Sequence, residues 1–239
     1  PRRPEELDTA RGGGVVVSQA AHQIDIARLL GGGLVETVYA STGSYDPDRA
    51  TEGAYTAILK FSGGAVANLT YSGYGRFDSD EFTGWRAESG EVKNPDNYGA
   101  ARRVLADLGS TAAEAALKAD RAYGGPAGAG VPKTAPAGKL HEHFGLFVVS
   151  CERGDIRPQP NGVQVYADDA KAFTPLPAPG VPRSEVIDEL YGAIVDGVAP
   201  VHSGAWGRAT LEVCRAVIQS ATEGREVRLE HQVAVGGDV

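Results

Sequence analysis

The sequence predicts an α+β fold in which helices pack on one face of an open, mostly antiparallel sheet. Segments with the patterns of β-strands occur in runs joined by short turns, whereas helical patterns stand between and after these runs. This grouping favours an antiparallel sheet over a strict alternation of strands and helices. With 42% hydrophobic residues, the chain of 239 residues has enough apolar material for one core. We expect one domain spanning residues 1–239.

The strand predictions begin with residues 34–40, which alternate loosely between apolar and polar side chains. Residues 54–61 and 65–72 flank Ser62-Gly63-Gly64, a turn signal that predicts a β-hairpin. Three more strands are expected at 145–152, 155–157 and 162–167, and a last one at 226–233.

Four helices are predicted. The first ends at Gly31-Gly32-Gly33, and the second covers residues 98–123, where Ala and Leu dominate. Helices at 183–197 and 203–223 are amphipathic. Their apolar faces comprise Val186, Ile187, Leu190, Ile194 and Val195 in the third helix, and Trp206, Ala209, Val213, Val217 and Ser220 in the fourth. Residues 73–97 and 124–139 are expected to be loops.

Composition excludes several classes of partner. The formal net charge of -8 disfavours binding to nucleic acids or anionic membranes, which require clustered Lys and Arg. No apolar run approaches the roughly 20 residues that span a bilayer, and the first residues do not form a signal peptide. Cys151 and Cys214 lie in apolar surroundings and are expected to be buried free thiols. These features indicate a cytoplasmic protein.

Common cofactor and metal motifs do not fit. Gly12-Gly13-Gly14 precedes apolar residues instead of following a strand, so it does not form a dinucleotide fingerprint. His141-Glu142-His143 places its two histidines on opposite sides of a strand and lacks a third ligand at fixed spacing. No G-x-S-x-G motif is present. We therefore expect no metal, and no cofactor-binding residue can be assigned in this chain.

A candidate catalytic group lies in the first helix. Ser18, His22 and Asp25 stand at positions i, i+4 and i+7, which share one face of a helix. A histidine between a hydroxyl and a carboxylate can have a fixed tautomer and a pKa near neutrality. The alternative is a half-buried structural histidine, with Asp25 capping a neighbouring loop. On spacing alone, the structural alternative is favoured.

A resemblance to a known family changes that balance. Residues 12–31 read GGGVVVSQAAHQIDIARLLG. This string resembles the signature G-G-G-x-L-x-D-x-G-x-H-x-x-D-x-x-x-x-L-G of the glucose–fructose oxidoreductase, inositol dehydrogenase and MocA (Gfo/Idh/MocA) family. In that family an amino-terminal Rossmann domain binds NAD or NADP, and a carboxy-terminal α+β domain supplies the substrate pocket and the oligomer interface.

The resemblance implies that this chain is the carboxy-terminal domain of a two-domain dehydrogenase. The Rossmann domain, and with it NAD or NADP binding, would lie upstream, and the first strand of the carboxy-terminal domain would be missing. The start at Pro1 and the lack of methionine agree with a fragment. The polypeptide alone is expected to be inactive. Homodimers or homotetramers would form through the open sheet.

Within the family, the chain resembles the cis-dihydrodiol dehydrogenases of the phthalate type. The likeness rests on residues 1–8, on Tyr71-Ser72-Gly73-Tyr74 and on Gly204-Ala205-Trp206-Gly207. It implies oxidation of a small diol, with His22 taking the proton of a hydroxyl group or orienting it. Ser18, Gln19, Asp25, Tyr74 and Arg76 are the expected substrate-binding residues, with Arg76 pairing with a substrate carboxylate.

One departure from the family pattern leaves alternatives open. Ser18 stands where the family has aspartate. The usual Asp–His pair is therefore incomplete, which makes inositol or glucose chemistry less favoured. The alternatives are a sugar or polyol dehydrogenase of the same family and a non-catalytic module for ligand binding or oligomerisation.

Overall fold

The computed structural model describes residues 4–47, 49–122, 125–127, 138–181 and 183–236. The chain divides into two compact units, one formed by residues 76–188 and the other by residues 2–75 and 189–239. Each unit contains a four-stranded antiparallel sheet. The α+β class is confirmed, but the strands form two sheets where the sequence predicted one. Most of the expected 124–139 loop lies outside the described residues.

The first sheet has the strand order β3-β2-β1-β8 and belongs to the unit formed by residues 2–75 and 189–239. Its strands are β1 (Val35–Gly43), β2 (Ala54–Phe61), β3 (Val66–Ser72) and β8 (Val227–Arg228). The predicted hairpin around residues 62–64 is confirmed, and Gly64 adopts a φ of +85° in its turn. A positive φ is readily adopted only by glycine.

Strand β8 is shorter than predicted because the backbone after Arg228 leaves the sheet. The N–H groups of Glu230 and His231 donate to the carboxylate of Glu212 at 2.8 and 2.9 Å. The side-chain amide of Gln232 donates to the same carboxylate at 2.7 Å. These bonds replace sheet pairing and tie the final segment to a helix.

Three helical segments form one layer against the first sheet: a π-helical turn (Val16–Ala20), α1 (Ala21–Leu30) and α5 (Gly204–Glu223). The predicted apolar face of the last helix is confirmed, since all its members are buried. The core residues that these segments contribute include Val16, Ala20, Ile24, Ala27, Val213 and Val217. The placement of these helices on one face of their sheet is thereby confirmed.

The π-helical turn is held at its start by a buried carboxylate. Glu52 is 7% exposed, and its carboxylate accepts from the Val16 N–H at 3.1 Å and from the Thr9 hydroxyl at 2.9 Å. Gly14 lies directly against this group, and a Cβ atom there would come within 2.0 Å of Glu52 Oε1. With a φ of +86° as well, this position requires glycine.

The other face of the first sheet is open. Along β2, Tyr55, Ala57, Leu59 and Phe61 are buried, whereas the intervening side chains point away from the core. Ile58 is 42% exposed and lies opposite Tyr39 of β1, which is 49% exposed. Apolar side chains therefore stand exposed side by side on this face.

The unit of residues 76–188 carries the second sheet, in the order β4-β5-β6-β7. Its strands are β4 (Val149–Cys151), β5 (Gly154–Gln159), β6 (Gly162–Tyr166) and β7 (Lys171–Pro175). Strand β7 was not predicted from the sequence. It pairs with β6 up to Pro175, and this proline stands on the outermost strand, where a missing N–H is tolerated.

Residues 98–123 form two helices where one was predicted, α2 (Ala100–Leu108) and α3 (Thr111–Arg121). Gly109 has a φ of +65° and ends α2. The hydroxyl of Ser110 then accepts from the Ala113 N–H at 3.1 Å and caps the start of α3. The composition of the segment indicated a helix but did not predict the interruption at Gly109 and Ser110.

The predicted helix at 183–197 consists of α4 (Ser184–Tyr191) and a π-helical turn (Gly192–Asp196). Its amphipathic character did not lead to burial. Each apolar residue predicted to face the core is more than half exposed, namely Val186, Ile187, Leu190, Ile194 and Val195.

The two cysteines differ in environment. Cys214 is buried as predicted, and burial raises the pKa of its thiol to about 12. Cys151 is exposed, contrary to the prediction, because β4 is an outer strand of its sheet. Within the described ranges, no helix has both the length and the apolar character needed to cross a membrane.

Ser220 joins α5 to the first sheet and provides a test of the packing. Its buried hydroxyl accepts from the Ala40 N–H at 2.9 Å and donates to the Arg225 carbonyl at 2.7 Å. Ser220→Ala leaves a buried N–H without its partner and should lower the free energy of unfolding by about 1–3 kcal/mol. Ser41→Ala, at an exposed position of β1, is the matched control and should change it by less than about 0.5 kcal/mol. Equal urea-unfolding midpoints for the two variants would contradict this account.

Candidate functional site

A pocket of about 290 Å³ lies where α1 meets the start of α5. Helix α1 contributes His22 and Asp25, and the chain entering α5 contributes His202. Polar groups thus converge over a mainly apolar wall, as is common in sites for small molecules. The full lining comprises Ala21, His22, Asp25, His202, Ser203, Trp206, Gly207, Thr210, Leu211 and Cys214.

The side chain of His22 is exposed in the first turn of α1. The residue before it, Ala21, begins the α-helix directly after the π-helical turn. The imidazole therefore stands on a rigid helix and remains accessible to a molecule in the pocket. These are the requirements for a group that exchanges a proton with a substrate hydroxyl.

Asp25 binds three side chains from the region around the start of α5. Its Oδ1 accepts from Trp206 Nε1 at 2.6 Å and from the Thr210 hydroxyl at 2.8 Å. Its Oδ2 lies 3.4 Å from His202 Nε2. The carboxylate therefore joins α1 to α5 and fixes the pocket wall, instead of capping a neighbouring loop.

Arg28, one turn further along α1, is fully buried behind the same wall. Its Nη1 donates to the Trp206 carbonyl at 3.1 Å and to the Thr210 hydroxyl at 2.7 Å, and its guanidinium lies 3.9 Å from the Trp206 ring centre. Burial lowers the pKa of Arg28 to about 10, against the opposing effect of Asp25 and Glu212. The side chain stays charged at neutral pH and balances the carboxylate of Asp25.

His202 is held by a second carboxylate. Its Nδ1 lies 2.7 Å from Glu189 Oε2, and its backbone N–H donates to Glu189 Oε1 at 2.8 Å. The hydrogen bond to Glu189 raises the pKa of His202, burial acts against it, and the charge of Asp25 adds to the increase. The imidazolium form is therefore favoured.

Arg28, His202 and Glu189 were not predicted from the sequence. An arginine three residues after Asp25 on the same helix was an available sign that opposite charges lie close together there. His202 directly precedes Ser203, whose hydroxyl caps α5 by accepting from the Trp206 N–H. The pairing with Glu189 left no local pattern because the two residues lie in different segments.

Ser18 and Gln19 lie in the π-helical turn, which changes the spacing assumed for an α-helix. The Ser18 hydroxyl donates to the Gly14 carbonyl at 2.6 Å. Within the described chain, neither residue is among those that line the pocket. The next glutamine, Gln23, accepts a hydrogen bond from the hydroxyl of Tyr55 instead.

Tyr74 and Arg76 follow β3. The hydroxyl of Tyr74 accepts from the Tyr45 N–H at 3.1 Å, and the two rings lie 5.2 Å apart. Its phenol also lies against Gly53, where a Cβ atom would come within 2.3 Å of the hydroxyl. Arg76 is exposed and belongs to the unit of residues 76–188. The substrate roles of Tyr74 and Arg76 stay predictions.

Of the site residues predicted from the sequence, His22 and Asp25 are the two that line one pocket.

The two contacts of Glu189 with His202 give a prediction for the titration of the His202 imidazole. A raised pKa means that the stabilising contribution of His202 is present below about pH 6.5 and is lost as pH rises through the folded-state value. Glu189→Gln should lower the pKa of His202, as followed by NMR of the imidazole protons.

The matched control for this titration is Glu185→Gln, one turn earlier on α4, where the carboxylate lies 3.5 Å from His141. It should leave the His202 titration in place. If the pKa of His202 is the same in the unaltered protein and in Glu189→Gln, the contact with Glu189 does not raise that pKa.

Comparison with known proteins gives the family. Residues 1–87 match the sequence model of the GFO/IDH/MocA C-terminal domain. A curated relative from Comamonas testosteroni, 1-carboxy-3-chloro-3,4-dihydroxycyclohexa-1,5-diene dehydrogenase, is 43% identical over 220 residues. The match covers 92% of this chain and 55% of the relative. The chain thus spans little more than half the length of that protein.

Solved structures share the fold. A protein of Bordetella bronchiseptica RB50 assigned as a dehydrogenase is 41% identical, with a TM-score of 0.84 over 96% of this chain and 58% of its own. An oxidoreductase from Agrobacterium radiobacter, solved with NAD+, L-tartaric acid and magnesium, is 17% identical. It has a TM-score of 0.50 over 88% of this chain and 47% of its own, and this likeness concerns the fold alone. Together, the matched domain and the identity of its relatives establish that the chain belongs to the Gfo/Idh/MocA family, as a carboxy-terminal domain.

Proposed function

We propose that the chain forms the substrate side of an NAD(P)-dependent dehydrogenase that oxidises a carboxylated cyclic cis-diol. The observation that carries the proposal is the accessible imidazole of His22 in a pocket whose wall is fixed by Asp25. The name of the Comamonas testosteroni relative describes a ring that carries a carboxyl group and two neighbouring hydroxyl groups, and this supports the choice of substrate class.

The cofactor would be held outside the described residues. Both described sheets are antiparallel and offer no crevice at the ends of parallel strands, where a dinucleotide binds. NAD or NADP would instead bind to an amino-terminal domain of the longer protein. When bound there, the nicotinamide supplies the hydride acceptor.

The chain's own contribution is to move a proton and to hold the ring. Oxidation of one alcohol carbon releases a hydride from carbon and a proton from oxygen. His22 would accept that proton, an effect worth roughly 10²–10⁴ in rate. Trp206 and Leu211 provide apolar surface for the ring, while Ser203 lies in the same lining and can hydrogen-bond the second hydroxyl.

Turnover of the full-length protein tests this assignment. The panel consists of a carboxylated cis-dihydrodiol, an inositol and a hexose, each with NAD+ and NADP+, and nicotinamide reduction is followed at equal protein concentrations. We expect reduction with the dihydrodiol. Equal or faster reduction with the inositol or the hexose would assign a polyol or sugar dehydrogenase, and no reduction with any of them would favour a binding module.

His22→Ala should lower kcat/KM for the preferred substrate by roughly 10²–10⁴. Added imidazole should restore part of the rate because it supplies the missing base. Lys171→Gln, an exposed change on β7, serves as the control and should retain full turnover. A rate for His22→Ala that matches that of the unaltered protein across pH 6–9 would remove His22 from the mechanism.

We also propose that the open face of the first sheet forms a homo-oligomer interface. The support is the pair of exposed apolar neighbours, Ile58 and Tyr39. Ile58→Asp should shift the protein to smaller species in analytical ultracentrifugation because it places a charge within the contact. Thr222→Asp, at an exposed position of α5 away from this face, is the control and should leave sedimentation unchanged. Unchanged sedimentation of Ile58→Asp would exclude this face.

A further inference from the structure

A second pocket, of about 310 Å³, lies on the outer side of α5 and against β8. Its floor is apolar and includes Leu211, Val227 and Leu229. Its volume falls at the lower end of the range found for small-molecule sites. The pocket therefore offers room for one ring-sized ligand.

The rim of this pocket is cationic. Arg208 and Arg215 extend from α5, and Arg228 extends from β8. All three side chains are exposed, and none forms an ion pair or a side-chain hydrogen bond with any described residue. Three unneutralised guanidinium groups around one pocket are unexpected in a chain with a net charge of -8.

The carboxylate within the lining of this pocket is already engaged. Glu212 lines the pocket, but its oxygens accept from the N–H groups of Glu230 and His231 and from the amide of Gln232. These bonds hold Glu212 against the final segment of the chain. The arginines therefore keep their capacity to bind an anion from solution.

We propose that this second pocket binds a small amphipathic anion, an apolar ring bearing a carboxylate. The ring would cover Leu211, Val227 and Leu229, and the carboxylate would lie at the rim. Guanidinium groups bind carboxylates through two parallel hydrogen bonds, which gives the rim its selectivity for this group over neutral polar ones. The proposal is independent of the proposed enzymatic function, since it requires no turnover and rests on the arginine rim, which the first pocket lacks. The two pockets adjoin at Leu211, which lines both.

Benzoate and benzamide form a matched pair of probes with the same ring and different charge. NMR titration of the protein at low salt should shift the amide signals of Val227 and Leu229 with benzoate. Benzamide should bind at least about tenfold more weakly because it lacks the charge-assisted hydrogen bonds. Sulfate, an anion without a ring, should also bind more weakly than benzoate.

Arg215→Gln should weaken benzoate binding at these signals by about tenfold, and Arg228→Gln should act in the same direction. Arg225→Gln removes the same charge outside the pocket, where the side chain pairs with Glu223, and should change binding by less than about twofold. Equal binding of benzamide or sulfate, or equal binding by Arg215→Gln and Arg225→Gln, would overturn the proposal. Shifts confined to His22 and Trp206, and lost in His22→Ala, would place benzoate in the first pocket and overturn it as well.

Discussion

The carboxylate of Asp25 is the contact on which the candidate site depends. One oxygen receives hydrogen bonds from the indole of Trp206 and the hydroxyl of Thr210, while the other faces the imidazole of His202. Behind it, the guanidinium of Arg28 binds the same threonine and stacks on the same indole. Burial of the Arg28 charge alone would be costly, but its hydrogen bonds and the nearby charge of Asp25 offset that cost. This pair joins two helices that are far apart in sequence.

The same contact explains how the fold presents His22. Because Asp25 and Arg28 hold α1 against α5, the imidazole one turn before Asp25 lies in the same pocket wall, with its side chain exposed. Glu52 fixes the preceding π-helical turn through the Val16 N–H. Contacts before His22 in the sequence, at Val16, and after it, at Asp25, therefore both fix its position. A proton-transfer group benefits from such a rigid support.

The sequence was sufficient for features that depend on local pattern. The fold class, the hairpin at 62–64 and the buried face of α5 follow from spacing and turn chemistry. Attention to the segment around His22 came instead from the resemblance of residues 12–31 to a family signature, because spacing alone favoured a structural histidine. It was insufficient where distant residues decide the outcome. The amphipathic pattern of α4 indicated burial that did not occur. The contacts of Arg28 with Trp206 and Thr210 could not be predicted without knowing which helices meet. Ser18 lies in a π-helical turn, where the spacing of an α-helix does not apply, and it does not line the pocket with His22 and Asp25.

The hydroxyl of Ser18 limits which side chains this position accepts without loss. It donates a hydrogen bond to the Gly14 carbonyl, and an ionised carboxylate in its place has no hydrogen to donate. An aspartate introduced here alone would lose this hydrogen bond and would have to turn its carboxylate away from the Gly14 carbonyl. The serine therefore suits the backbone path of the glycine-rich entry to the helix.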